Sequence, residues 1–399
     1  MKIANRMEKL APSLTLSITA LANELKAAGK DILSFSAGEP DFDTPQVVKD
    51  AAIKAINEGK TKYTAVEGIK ETKQAIINKL KKDHNLDYTL DKIVISNGAK
   101  HSLFNLAQAL IDEGDEVIIP SPYWVTYPEL VVYSGGVPVF IETDESTEFK
   151  ITAKQLKEKI TPKTKILMLN SPSNPTGSIY SKDELLAIGE VLKGTDIVVL
   201  SDEMYEKLIY KGKKFTATAE VSEDMYNRTV TINGLSKSVA MTGWRFGYVA
   251  CPNSALAKAM SKLQGQVTSN VNSMTQYAAI VALEGEANKD IEMMRVEFEK
   301  RKDYAVKAIN NISKLSCYDP DGAFYLFINI KKYSNDSMKF CADLLESKGV
   351  ALVPGLAFGM EGYVRLSFAT SMKAIEDGIN RIKEFVENRL KLLNIKIFA

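Results

Sequence analysis

At 399 residues the chain exceeds what one ordinary core accommodates and suits two domains, or a large domain carrying a smaller one. With 45% apolar and 25% charged residues it has the composition of a folded globular protein, which excludes a disordered or fibrous chain. Lys and Arg total 51 against 50 Asp and Glu, so a formal charge of +1 offers no net field to grip nucleic acid or an anionic membrane.

The N-terminus places Lys2, Arg6 and Lys9 before an apolar stretch over 14–25 that imitates a secretion signal. Ser13, Thr15, Ser17 and Thr19 interrupt it, and no stretch approaches the ~20 apolar residues of a membrane span. The basic run Lys79, Lys81 and Lys82 follows a helical pattern and reads as a solvated face. From about residue 90 to 250, short β-branched runs alternate with helical patterns, which predicts a largely parallel sheet flanked by helices. The strands fall near 93–96, 116–119, 137–141, 165–169, 197–201, 229–232 and 246–250. Ligands of open α/β sheets bind beyond the carboxyl ends of the strands, so the residues just after these runs are the ones to inspect.

Over 287–312, Ile291, Met294, Phe298 and Ala305 recur between charged residues as one long amphipathic helix. Beyond it come strand-like 324–330, a helix over 338–347, strand-like 351–353 and 363–368, and a charged helix from Met372. The expected division is a segment 1–40 joined to a smaller α+β domain of 291–399, with 41–290 as the large domain. Cys251, Cys317 and Cys341 have no paired spacing and His84 and His101 are the only histidines, so no metal or disulfide framework is expected. The chain reads as a cytoplasmic protein whose chemistry rests on Lys, Tyr, Asp or a cofactor.

One stretch is most informative: Ser236-Lys237-Ser238-Val239-Ala240-Met241-Thr242-Gly243-Trp244-Arg245, between two predicted strands. It resembles the attachment signature of the class I pyridoxal 5′-phosphate (PLP) aminotransferases. "GEPDFDTP", "YTA..G", "SPYW", "NPTG" and "SDE.YE" extend the likeness over nearly the whole chain, closest to the bacterial aspartate aminotransferase branch. The resemblance implies the fold type I of PLP-dependent transferases: α/β, a large domain with a mostly parallel sheet plus a smaller α+β domain.

It also implies roles. Lys237 would anchor PLP and carry the proton during transfer, and only a partly neutral amine can do so, a state that burial gives to Lys but not to Arg. Asp202, after its strand, would keep the cofactor's pyridine nitrogen protonated. Opposite charges about 4 Å apart attract by roughly 4 kcal/mol at an effective dielectric near 20, about three pKa units before desolvation. Tyr205 and Asn174 would donate to the cofactor's 3′-oxygen, Trp124 would stack on the ring, and Gly98, Ala99, Lys100, Ser236 and Arg245 would hold the phosphate. Tyr63 would reach the phosphate of a neighbouring subunit, which implies a homodimer with shared sites.

Arg365 would grip the substrate α-carboxylate with its planar fork, helped by Gly38 and Asn174, while Lys100 would meet a second carboxylate. The implied reaction passes the amino group of L-aspartate to 2-oxoglutarate. Relatives that also use prephenate carry a basic residue before the proline where this chain has Ala11 and Pro12. Alanine, aromatic or prephenate specificity, a β-lyase, and a non-catalytic PLP-fold regulator share the cofactor contacts and stand as alternatives.

Overall fold

The computed structural model describes residues 1–397, in backbone alone for 388–397. The strands are β1 (Leu33–Ser34), β2 (Ile93–Asn97), β3 (Glu116–Ser121), β4 (Val137–Glu142), β5 (Thr164–Asn170), β6 (Val198–Asp202), β7 (Thr229–Gly234), β8 (Phe246–Ala250), β9 (Ser316–Cys317), β10 (Tyr325–Asn329), β11 (Val350–Ala351), β12 (Val353–Pro354) and β13 (Tyr363–Ser367). Seven of them form one sheet in the order β2-β8-β7-β6-β5-β3-β4. Only β8 runs against its neighbours, pairing antiparallel with both β2 and β7, so the sheet is mostly parallel as expected.

Both faces of this sheet are covered. Ile118 and Ile119 are consecutive and both 0% exposed, the sign of a strand packed on two sides, and this is why the strands read as unbroken apolar runs. On one face Ile119, Met168 and Leu200 pack with Leu103 and Leu106 of the helix Ala99–Leu110. On the other, Ile118, Leu167 and Val199 pack with Leu185 and Ile188 of the helix Lys182–Leu192, whose start is closed by a Ser181–Glu184 capping box.

The geometry that matters for function is at one edge. β2, β5, β6 and β7 run parallel and end at Asn97, Asn170, Asp202 and Gly234, with Asn170 and Asp202 in direct register. β8 begins beside Asn97, which brings Arg245 to the same edge.

The long helix Asn288–Asn310 buries Met294, Phe298, Ala305 and Ile309 against a core shared with β10 and β13. These strands form an antiparallel sheet in the order β12-β13-β10-β9. β1 pairs in parallel with β11, so the N-terminal segment is stitched to this smaller unit. The expected strand 351–353 is instead two short strands in different sheets, separated at Leu352. Lys79 also departs from expectation: its side chain is 10% exposed rather than solvated, because the Glu206 carboxylate from another part of the chain meets it. Among the described residues no helix is long and apolar enough to cross a membrane, and the three cysteines are buried and unpaired.

Candidate active site

A cavity of about 240 Å³ opens at the carboxyl edge of the large sheet, closed on its far side by β10 and β13. It brings together Gly38, Ala99, Lys100, Trp124, Asn174, Asp202, Tyr205, Ser236, Lys237, Arg245 and Arg365, drawn from positions more than 300 residues apart in the chain. Gly98 stands just behind: at φ +82 it adopts a conformation that favours glycine, and a Cβ there would lie 2.4 Å from the Arg245 guanidinium. Tyr63 is not brought in. It is 92% exposed and borders a separate surface depression with Lys62 and Asn270.

Lys237 follows β7 in a turn and is buried, its amine donating to the Gly38 carbonyl at 2.5 Å. Burial lowers its pKa to about 8; the Glu39 and Asp202 charges oppose the shift, while Arg245 and Arg365 add to it. At pH 7 roughly a tenth of the amine is then neutral, against less than a thousandth for an ordinary lysine. This is the state that adds to a carbonyl carbon.

Asp202 ends β6 with its carboxylate on the cavity floor. Burial raises its pKa to about 6, offset in part by the Tyr127 hydroxyl, which donates to Oδ2 at 2.7 Å, and by the Met204 amide. A buried carboxylate without a cation is costly, and a cationic group against it would restore ionisation. Asn170 ties this end to its neighbour: its amide donates to the Asp202 carbonyl at 3.0 Å, and its oxygen accepts the Asn174 N–H at 2.8 Å.

On the opposite wall Arg365 is 2% exposed, with Nη1 donating to Asn174 Oδ1 at 2.9 Å and Nη2 to the Ser36 carbonyl at 2.8 Å. Its guanidinium lies 4.4 Å from the Tyr325 ring centre and 5.0 Å from that of Phe358. Nε has no partner, and among the described residues no carboxylate pairs with this arginine. A buried guanidinium left this way is short of one planar anion.

Positive charge also gathers at the mouth. Arg245 adopts φ +56, a strained conformation for a non-glycine residue, and donates to the Thr242 carbonyl at 2.8 Å, leaving donors to spare. Beside it the helix Ala99–Leu110 starts without a side-chain cap, so its first amides are free. The Lys100 amine sits 4.9 Å from the Trp124 ring centre, its pKa lowered by burial and by Arg245. Trp124 is half-buried at the cavity wall rather than in the core.

Three contributors were not singled out in the sequence. Tyr127, Asn170 and Tyr325 line the same cavity, and the Tyr325 hydroxyl meets that of Tyr205 at 2.8 Å. Tyr127 lies three residues after Trp124, Asn170 four before Asn174, and Tyr325 on the face of β10 diagonal to Arg365 in β13. Those spacings were the available signal.

The family model "Aminotransferase class I and II" matches residues 30–382. The chain belongs to the class I and II aminotransferases. It is 50% identical over 394 residues to the aspartate aminotransferase of Geobacillus stearothermophilus, covering 98% of this chain and 100% of that protein. It is 46% identical to the aspartate/prephenate aminotransferase of Nitrosomonas europaea, covering 96% and 99%. The solved structure of Thermus thermophilus aspartate aminotransferase with maleate superposes with a TM-score of 0.93 at 38% identity, covering 96% of this chain and 99% of that one.

Membership in this aminotransferase family implies PLP, and the residues present fit it. The cavity has a buried carboxylate without a direct ion pair at its floor, an amine of lowered pKa nearby, and unspent guanidinium and amide donors at its mouth.

Proposed function

We propose that the enzyme uses PLP to transfer the amino group of L-aspartate to 2-oxoglutarate. When bound, the cofactor supplies an electron sink that lets a proton leave the substrate α-carbon. Lys237 would hold it covalently and, once released, carry that proton. Asp202 would keep the pyridine nitrogen protonated, with Tyr127 fixing the carboxylate. Tyr205 and Asn174 would donate to the 3′-oxygen, and Trp124 would cover the ring. Ser236, Arg245 and the amides of Gly98, Ala99 and Lys100 would take the phosphate.

Arg365 and Gly38 would orient the substrate through its α-carboxylate, which sets the Cα–H bond relative to the ring. Lys100 would engage the side-chain carboxylate. We read the enzyme as a cytoplasmic homodimer in which Tyr63 completes the partner's phosphate site. A tyrosine ring exposed to 92% is what an interface residue presents when its partner is absent.

The observation that carries this reading is one cavity lined by a lysine of pKa about 8, a buried carboxylate without a direct ion pair and a buried arginine without an anion. The test is a spectral titration of the purified protein with a panel of amino acids, recording which ones bleach the Lys237-linked absorption. Aspartate and glutamate are expected to do so at the lowest concentrations. If both fail where alanine or an aromatic amino acid succeeds, the substrate assignment is wrong.

A further inference from the structure

Two glutamates of the "SDEMYE" block, Glu203 and Glu206, have no part in the chemistry above. Both are buried, at 1% and 7% exposure, and they flank Tyr205 in the turn that follows β6. Glu203 accepts the Ser201 hydroxyl at 2.9 Å and the Thr218 amide at 3.0 Å. Glu206 points away from the cavity toward the helix Lys70–His84. There its carboxylate meets the Lys79 amine at 2.5 Å and the His84 Nε2 at 3.0 Å.

The cluster extends on both sides. His84 Nδ1 faces Glu220 at 3.0 Å, Lys79 lies 3.3 Å from Asp83, and Lys207, the next residue of the turn, reaches Asp83 at 2.7 Å. Burial alone would lower the pKa of His84, but its bonds to Glu206 and Glu220 raise it to about 9. Three cations, Lys79, His84 and Lys207, thus face three anions, Asp83, Glu206 and Glu220. Asp83, His84 and Glu206 also have the proximity of metal ligands, but the Lys79 ammonium already fills the place of a cation.

On its other sides the turn is held by the Glu203 amide, which donates to the Ile232 carbonyl of β7 at 2.9 Å, by the Ala323 amide, which donates to the Leu208 carbonyl at 3.0 Å, and by the Tyr205 ring packed edge-on against Phe324. Within it the Leu208 amide bonds the Tyr205 carbonyl at 2.8 Å and the Glu206 amide bonds the Glu203 carbonyl at 3.0 Å, contacts that shape the turn without locating it. Toward the helix Lys70–His84 it is located by Glu206 and Lys207, on either side of their ion pairs. A buried pair set of this kind stabilises little over an apolar packing but fixes one register. Tyr205 is the neighbouring residue, and its hydroxyl must hold to a few tenths of an ångström to donate to a ligand oxygen while accepting from the Tyr325 hydroxyl.

We propose that Glu206 is a positioning residue for Tyr205: clamped by Lys79 and His84, it sets where the Tyr205 phenol stands in the active site. This rests on the PLP reading above, in which Tyr205 donates to the cofactor's 3′-oxygen. Loss of that donor makes the Lys237-linked chromophore a stronger base, so its protonation midpoint rises. Removing the negative charge of Glu206 by itself would move the midpoint the other way, which separates position from charge.

The experiment is a spectroscopic pH titration of the holoenzyme for wild type, E206Q, Y205F and E206Q/Y205F, with R228Q, which breaks a half-buried ion pair to Asp224 outside this cluster, as control. E206Q is expected to raise the midpoint by about half a unit or more, in the direction of Y205F. The double variant should lie at or slightly below Y205F, since only the charge effect is left once the phenol is gone, and R228Q should match wild type. Should E206Q fold poorly, K79Q/E206Q removes both charges and carries the same expectation. An unshifted or lowered midpoint, or one that adds to that of Y205F, overturns the proposal. A wild-type protein with no chromophore instead refutes the PLP reading, and this inference with it.

Discussion

Buried charge occurs in two places on either side of Tyr205, and the two are built on opposite rules. In the cavity, Lys237, Asp202 and Arg365 are enclosed without a direct ion pair, and burial outweighs the partial attraction between Lys237 and Asp202, so the pKa of each is pushed toward its neutral form. In the cluster behind it, Lys79, His84 and Glu206 are buried with their charges matched, and the pKa of each is pushed toward its charged form. Burial acts alike on both; what differs is the partner. Matched ions describe a finished structure, whereas unmatched ions describe a site that lacks its ligand.

The comparison can be broken by exchanging the rules. Arg365→Lys keeps the cavity charge but removes the planar fork, and kcat/KM for aspartate should fall by about a hundredfold, or roughly 3 kcal/mol. Steady-state kinetics that show less than a threefold loss would mean that Arg365 is not meeting a carboxylate. Lys100→Ala sharpens the comparison, because only a dicarboxylic substrate should miss this amine. Activity on aspartate should fall about tenfold more than on alanine, and equal losses would remove the specificity argument.

The smallest effect is expected in the matched cluster. The folded-state pKa of His84, about 9, lies above its unfolded value near 6.5, so its contribution to stability is complete below that value and is lost as pH rises through 9. The groups that face it are Lys79, Asp83, Glu206, Lys207 and Glu220; the ion pairs push Lys79 up and Asp83 and Glu206 down, so these three keep their charges across this window. Urea unfolding from pH 6 to pH 9.5 should show wild type losing up to about 3 kcal/mol more than His84→Gln. Parallel curves would show that the imidazole is not charged in the fold.

Much of the fold was readable because two-sided burial leaves a plain mark: β2 to β8 are short apolar runs that needed no partner to be recognised. The split at Leu352 left no such mark, since strands of two residues owe their existence to the neighbours they meet. Lys237, Asp202, Asn174 and Arg365 stood out through their motifs. Tyr127, Asn170 and Tyr325 did not, because a hydroxyl or amide becomes part of a site only when the fold aims it there. Lys79 was misread for the same reason, as the carboxylate that buries it is 127 residues further along the chain.

The central claim is that Lys237 carries the cofactor. Borohydride reduction of the purified enzyme, followed by proteolysis and mass mapping of the labelled peptide, tests it most directly. A single pyridoxyl adduct on Lys237 is the predicted result; an adduct on another lysine, or none, would contradict the account.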